Sequence, residues 1–233
     1  MKDHPIIFST NMIKAILDGR KTQTRRIVKA PKLHPDYGYP HWDDAWIDGD
    51  ENEQYLHIPF SGDAMERTTH RAYCPYGQVG DKLWARETWR LSGGPDSNRV
   101  IYKADGETVL TYIGAKGLST SKELEPQFGW QMIEKYGTHY HPSIHMPKWA
   151  ARIWLEITNI RVERVQDIDA VEAETEGIRR PKRLCPDMHD EYILFRFQRL
   201  WDSLNAKRGY GWDNNPWVWV IEFKKVRIRK CQT

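Results

Sequence analysis

Two stretches restrict this chain more than any bulk property does. In residues 152–158, Ile153, Leu155 and Ile157 alternate with Arg152, Trp154, Glu156 and Thr158, and in residues 217–225 Trp217, Trp219, Ile221 and Phe223 line one side. Successive side chains of a strand point to opposite faces, so a period of two predicts half-buried strands and a fold organised around a sheet. Residues 160–165 are expected to continue the sheet. Further strands are expected at Ile6, Ile7 and Phe8, at residues 82–89 after a turn at Val79, Gly80 and Asp81, and at residues 100–103.

Helical spacing is sparser. Met12, Ile13, Ile16 and Leu17 follow a cap at Ser9 or Thr10 and stop at Gly19; Asp169 and Glu172 open a short helix that ends at Gly177. Ile193, Phe197, Leu200, Trp201 and Leu204 share one face of a third helix, and Gly209 and Gly211 break the pattern. Strands do not alternate regularly with long helices, which disfavours a doubly wound sheet. The expectation is an α+β domain spanning residues 1–233, with a small mixed or closed sheet at its centre. Residues 31–76 are rich in Pro, Gly, Asp, His and Tyr and read as an irregular insertion or lid; the stretch from 91 to about 142 reads as loop-rich.

At 233 residues the chain is long enough to bury a core without staples. Its 39% hydrophobic and 29% charged residues exclude collagenous and disordered classes. Apolar runs of only a few residues, and a start (MKDHPIIF) unlike a signal peptide, lead to the expectation of a cytoplasmic protein with no membrane span. Cys74, Cys185 and Cys231 lie far apart, so a disulfide scaffold and a thiolate zinc site are not expected. His139, His141 and His145 lack a second ligand cluster and Pro142 interrupts their spacing; no metal and no other cofactor is expected.

Net charge is only +3, but its distribution is uneven. Residues 19–35 hold Arg20, Lys21, Arg25, Arg26, Lys29 and Lys32 with no acid, residues 224–230 add five more basic side chains, and Asp43, Asp44, Asp48, Asp50, Glu51 and Glu53 form an acidic block. Eleven Trp accompany a mean hydropathy of -0.74. Aromatic faces beside cations suit stacking on bases and holding phosphates, so nucleoside or RNA is the expected partner. The richest segment is Gly19-Arg20-Lys21-Thr22-Gln23-Thr24-Arg25-Arg26, which lacks the spacing of a Walker loop. A lysine among three arginines has its charged form disfavoured, and a lowered pKa makes Lys21 a candidate general base. A solvated basic turn that attracts phosphate is the plainer reading of the same residues.

PIIFSTNMIKAILDGRKTQTRR resembles the opening of ASCH domains, relatives of the PUA domain, with their Gly-x-Lys signature. VGDKLWARETW, HMPKWAARIWLEITNIRVERVQDI, AETEGI and LWDSLNAKRGYGWDNNPWVWVIEFK resemble the later blocks of long ASCH proteins common in phages and prophages. The resemblance implies a PUA-like β-barrel with flanking helices, loop-rich insertions at about 31–76 and 91–142, and a cleft for RNA or nucleosides. The segment is also similar to that of the small bacterial N4-acetylcytidine amidohydrolases, through Gly19, Arg20, Lys21, Thr22, Thr24 and Arg26 and through Ala173-Glu174-Thr175-Glu176. That similarity implies Lys21 as proton acceptor, Thr24 as nucleophile and Glu176 as proton donor.

These roles are chemically coherent, because amide hydrolysis needs a nucleophile, a base and an acid. Arg25, Arg26 or a backbone amide can stabilise an oxyanion, and Arg20 completes the basic set. Glu87 is a second candidate carboxylate, with an ion pair to a neighbouring Arg as its alternative. Trp212, in a Gly-Tyr-Gly-Trp loop, is the stacking candidate. Three functions compete: an amidohydrolase acting on an acylated cytidine-type nucleoside or base, a non-catalytic module binding RNA or a modified nucleotide, and, more weakly, a ribonuclease.

Overall fold

The computed structural model describes residues 1–29, 39–49, 54–61, 68–94, 97–106, 108–110, 112–114, 117–119, 133–181 and 188–226. The first half of the chain contains β1 (Asp3–Ile7), α1 (Thr10–Leu17), β2 (Gln23–Ile27), β3 (Tyr39–Pro40), β4 (Trp46–Gly49), β5 (Gln54–Ser61), β6 (Thr68–Ala72), β7 (Lys82–Arg86), β8 (Trp89–Gly94) and β9 (Ser97–Tyr102). It continues with β10 (Thr108–Leu110), β11 (Tyr112–Gly114), β12 (Gly117–Ser119), β13 (Trp154–Arg164), α2 (Ala170–Thr175), α3 (His189–Asn205) and β14 (Trp217–Val226). The class is therefore mixed α+β. Chain contacts divide it into two compact units, one of Met1–Gly19, Lys82–Glu156 and Lys225–Thr233, the other of Arg20–Asp81 and Ile157–Lys224.

In the first unit β1 runs parallel to β7, with Pro5 opposite Trp84, and β7 pairs antiparallel with the start of β13, Leu83 opposite Leu155. Ser9 caps α1 by accepting from the Met12 amide, and the helix buries Ile13, Ala15 and Ile16. The antiparallel set β8-β9-β10 and the hairpin β11-β12 fill much of the stretch expected to be loop-rich. Extended chain there buries Trp89 and Leu91, and Val100 and Tyr102, two apart in each strand, against Met146 and Ala150.

In the second unit β14 lies between β13 and β2, and Thr24 faces Ile221 while Arg25 faces Val220. The stretches 82–89, 152–158 and 217–225 thus correspond to β7, β13 and β14, and β13 neighbours both of the others. Strands β1 and β2 remain edges; among the described residues no pairing closes a barrel. Of the two forms weighed from sequence, the described residues contain the mixed sheet, with β1 parallel to β7, and not the closed one.

The irregular reading of residues 31–76 is also revised. Strand β5 pairs with β3, β4 and β6 and buries Leu56, Ile58 and Phe60. Pro59 obscured this alternation, since proline normally argues against a central strand. The pairing with β4 ends at His57 and that with β3 begins at Phe60, while the Pro59 carbonyl accepts from the His41 amide, so no ladder bond is lost on that side.

The second unit's main core joins Val165, Ile168, Ala170 and Ala173 to Ile193, Phe197 and Trp201 of α3 and to Val218 and Val220 of β14. The buried stripe of α3 is Ile193, Phe197, Trp201 and Asn205. Leu204 is exposed: a strict four-residue step carries the stripe to Asn205, whose amide donates to the Trp201 carbonyl. Phe197→Ala should therefore destabilise the protein by about 3–5 kcal/mol, whereas Leu204→Ala should change it by about 0.5 kcal/mol or less, measured by urea unfolding. Equal losses would show that the stripe is drawn wrongly.

Candidate active site

Helix α1 stops at Gly19, whose φ of +73° lets the chain turn sharply towards β2. The next three residues then meet the end of α2 one after another. Arg20 NH1 donates to the Gly177 carbonyl at 2.9 Å, Lys21 Nζ to the Glu176 carbonyl at 2.9 Å, and the Thr22 amide to the Thr175 carbonyl at 2.9 Å. A helix leaves its last carbonyls without internal partners and carries negative partial charge there, so cations and an amide are well matched to that end. Gly177, at φ +99°, makes the left-handed exit that lets consecutive carbonyls be presented in this way. Asp169 secures the other end of α2 by accepting from the Glu172 amide.

Lys21 is 2% exposed. Its ammonium donates to the Gln23 carbonyl at 2.8 Å, the Glu176 carbonyl and Glu176 Oε2 at 2.6 Å, so all three N–H bonds have acceptors. The Gln23 carbonyl belongs to the peptide that leads into Thr24, which puts the ammonium one peptide unit from the Thr24 backbone. Thr24 itself is buried in β2. Lys21 is held below its ordinary value of 10.5 chiefly by burial; Glu176 opposes that shift, while Arg26 and Arg25 add to it. The direction expected from sequence is found, but its leading cause is desolvation. Arg20 is occupied at Gly177.

Arg25 is buried with its side chain 1% exposed. Its NH2 donates to Glu163 Oε2 at 3.0 Å and Glu172 Oε2 at 2.7 Å, its guanidinium lies 6.0 Å from the centre of the Phe197 ring, and NH1 is 3.8 Å from Glu176 Oε1. Arg161 ties the same carboxylates together by bonding to Glu163, Glu172 and Glu222. Lys21, Arg25 and Arg161 are therefore offset by Glu163, Glu172, Glu176 and Glu222. Arg25 is buried and its NH2 already meets two carboxylates, which leaves less field for an incoming anion, although its Nε and NH1 make no hydrogen bond. Arg26 lies 6.0 Å from the Tyr76 ring, and burial lowers its pKa. Of the six basic residues noted in 19–35, Lys29 is exposed and Lys32 lies outside the described residues. Lys224 and Lys225 are exposed, and the rest of the C-terminal basic run lies outside the described residues.

The other sequence candidates lie elsewhere. Glu87, 1% exposed, receives both arms of Arg152, from Nε at 2.9 Å and NH2 at 3.0 Å, and Arg152 also bonds to Asp105 and lies 4.0 Å from the Tyr102 ring centre. Burial raises the Glu87 pKa, and Arg152 works against that rise. Its expected ion-pair alternative is what the geometry contains, with a partner 65 residues away. Trp212 packs edge-on to Phe197 at 6.1 Å, its amide bound to Asp202 and its carbonyl to Gln166. His139 and His141 rings lie 4.3 Å apart, and among the described residues no group of three or more His, Cys, Asp or Glu is placed to hold a metal ion. Sequence reading did not single out Arg161, Glu163, Glu172 or Glu222 as site residues. The alternation read from sequence covered only residues 152–158, and nothing local showed what positions 161 and 163 meet.

No family model, curated protein or solved structure matches the chain. Among the described residues no helix is long and apolar enough to cross a membrane.

The lowered Lys21 pKa has a definite sign in stability. Below 10.5 the unfolded chain holds a proton at this lysine that the folded chain holds less firmly, so this group's contribution to stability rises with pH through that window and falls away as pH drops through the folded value. Unfolding measured as the pH is raised towards 10.5 should show this slope in the native protein and a smaller one in Lys21→Met. Glu176→Ala should cost about 3–5 kcal/mol at neutral pH, because it leaves a buried ammonium without its counter-charge. An identical slope in Lys21→Met would remove the assignment.

Proposed function

We propose that this protein is an amidohydrolase that removes an acyl group from a modified cytidine-type nucleoside, of which N4-acetylcytidine is the simplest case, and that its finer fold is of the PUA-like ASCH type. The observation that carries the reading is the direct 2.6 Å contact between Lys21 and Glu176, 155 residues apart in sequence, beside the peptide that leads into Thr24. A proton passing along that hydrogen bond leaves a neutral amine and a neutral carboxylic acid. Those are the two protonation states that the reaction requires.

In the reaction, Lys21 accepts the Thr24 hydroxyl proton as the oxygen attacks the acyl carbon. Glu176 protonates the exocyclic nitrogen as the C–N bond breaks, releasing cytidine and leaving an acyl ester on Thr24. Water then hydrolyses the ester to the carboxylic acid and restores Thr24. Lys21 must turn its lone pair from Glu176 towards Thr24, which costs it one of its three present bonds. Glu172 and Glu163 hold Arg25 beside Glu176 and so set the acid's surroundings.

A second reading, a module that binds RNA or a modified nucleotide without turnover, is favoured by the same three acceptors around Lys21 Nζ, which satisfy a permanently protonated lysine. The ribonuclease reading draws less support, since the Arg25 charge is already offset by carboxylates.

Purified protein incubated with N4-acetylcytidine should release cytidine, followed by chromatography. Thr24→Ala should lower the rate at least a hundredfold with the circular dichroism spectrum unchanged, and Glu176→Gln should slow it by about 10²–10⁴. Lys21→Arg should be as inactive as Lys21→Ala, because a guanidinium does not give up its proton. Absence of cytidine release by folded wild-type protein would favour the binding module; full activity in Lys21→Arg would leave that position only a charge.

A further inference from the structure

We propose that the second unit carries a separate binding pocket for a nucleobase, at the opposite end of β2 from Lys21. A cavity of about 290 Å³ opens where β2 ends and β14 begins, lined by Trp42, Asp43, Arg164, Tyr210, Asn214 and Trp217 among others. Its volume is near the lower end of small-ligand sites, roughly 300 Å³. Val28, whose amide donates to the Trp217 carbonyl, also lines it. Four residue steps of extended chain lead from Thr24 to Val28, about 13 Å at ~3.3 Å per residue, so one small ligand does not span both places.

The walls are fixed before any ligand arrives. The Arg164 guanidinium lies 4.4 Å from the centre of the Trp217 ring and donates to the Trp42 and Asn215 carbonyls, and Trp217 Nε1 donates to the same Trp42 carbonyl at 3.0 Å. Asn215, at φ +40°, and Gly209, at φ +82°, shape the loop that presents Tyr210 and Asn214. Such preorganisation lowers the ordering cost of binding.

The chemistry of these walls selects the ligand. Indole, phenol and guanidinium planes are surfaces on which a flat heterocycle stacks. Arg164 already occupies the cation's place over Trp217, which disfavours a second cation. Asp43, fully exposed and 3.6 Å from Arg164, puts a carboxylate at the rim, which disfavours a phosphate. A neutral base remains. The Asn214 amide nitrogen donates to the Gly209 carbonyl, so its oxygen, like the Asp43 carboxylate, is an acceptor. Two acceptors at the rim favour bases that present amino hydrogens, cytosine, guanine and adenine, over uracil. This pocket gives Asp43 and the loop aromatics a role that the Lys21 site does not.

Calorimetric titration of the full chain with cytidine, guanosine and uridine tests the proposal. Saturable binding of cytidine and guanosine is expected, several-fold tighter than uridine, with the 5′-monophosphates binding no tighter than the nucleosides. Trp42→Ala should weaken guanosine roughly tenfold, within the range for loss of one stacking partner. Asp43→Asn, at a fully exposed position that does not threaten folding, should abolish the preference over uridine. The proposal is overturned by wild-type protein that shows no saturable binding at millimolar guanosine, by guanosine affinity unchanged in both variants, or by monophosphates that bind much tighter and lose that advantage in high salt. Guanosine carries no acyl group, so its binding is read independently of any hydrolysis at Lys21.

Discussion

The second unit depends on the end of a six-residue helix. Helix α2 is too short to be stable alone, and its last carbonyls need donors from outside. Arg20, Lys21 and Thr22 supply them in register to Gly177, Glu176 and Thr175, and the Phe223 amide then donates to the Thr22 carbonyl at 2.8 Å, fastening the same segment to β14. One run of basic chain thus fixes a helix terminus, starts an edge strand and buries an ammonium against a carboxylate. The density of charge in this segment therefore has a structural cause.

Around that point the protein gathers four carboxylates, Glu163, Glu172, Glu176 and Glu222, among its cations. A buried ion pair is weak evidence of net stabilisation, because desolvation offsets much of the attraction, yet removal of one partner is costly. The network of Arg25 and Arg161 with Glu163, Glu172 and Glu222 spreads this cost over several bonds and keeps Glu176 beside two cations. In the first unit Arg152, Glu87 and Asp105 form a comparable clamp with fully occupied arms, over a tyrosine whose hydroxyl donates to the Ala150 carbonyl. The two clusters differ in what they leave open. Glu176 Oε1 has no hydrogen-bond partner, while both Glu87 oxygens are bonded to Arg152.

The tryptophans divide by environment rather than by sequence context. Trp89 and Trp219 are at most 1% exposed and serve the core, Trp201 anchors α3 through its Nε1 bond to the Tyr210 carbonyl, and Trp212 packs on Phe197. Trp42 and Trp217 border open space. A loop position pointed to Trp212 as the free ring, but its backbone is held by Asp202 and Gln166 and its ring is drawn to the core.

By itself the sequence determined the elements whose signal is local: the alternation of β13 and β14, the Ser9 and Asp169 caps, the glycine exits at Gly19 and Gly177, and the unusual basic run that marks Lys21. Period, capping and left-handed backbone act within a few residues, and so they are legible there. The tertiary structure alone decided that Lys21 is buried, that Glu176 is its direct partner, that Arg25 is consumed by Glu163 and Glu172, and that β5 is a strand through its proline. Each of these rests on groups brought together from 138 or more residues apart, or on which side of a strand lacks a neighbour. Desolvation and charge compensation belong to the packed surroundings of a group, and a linear sequence states the group without stating what surrounds it.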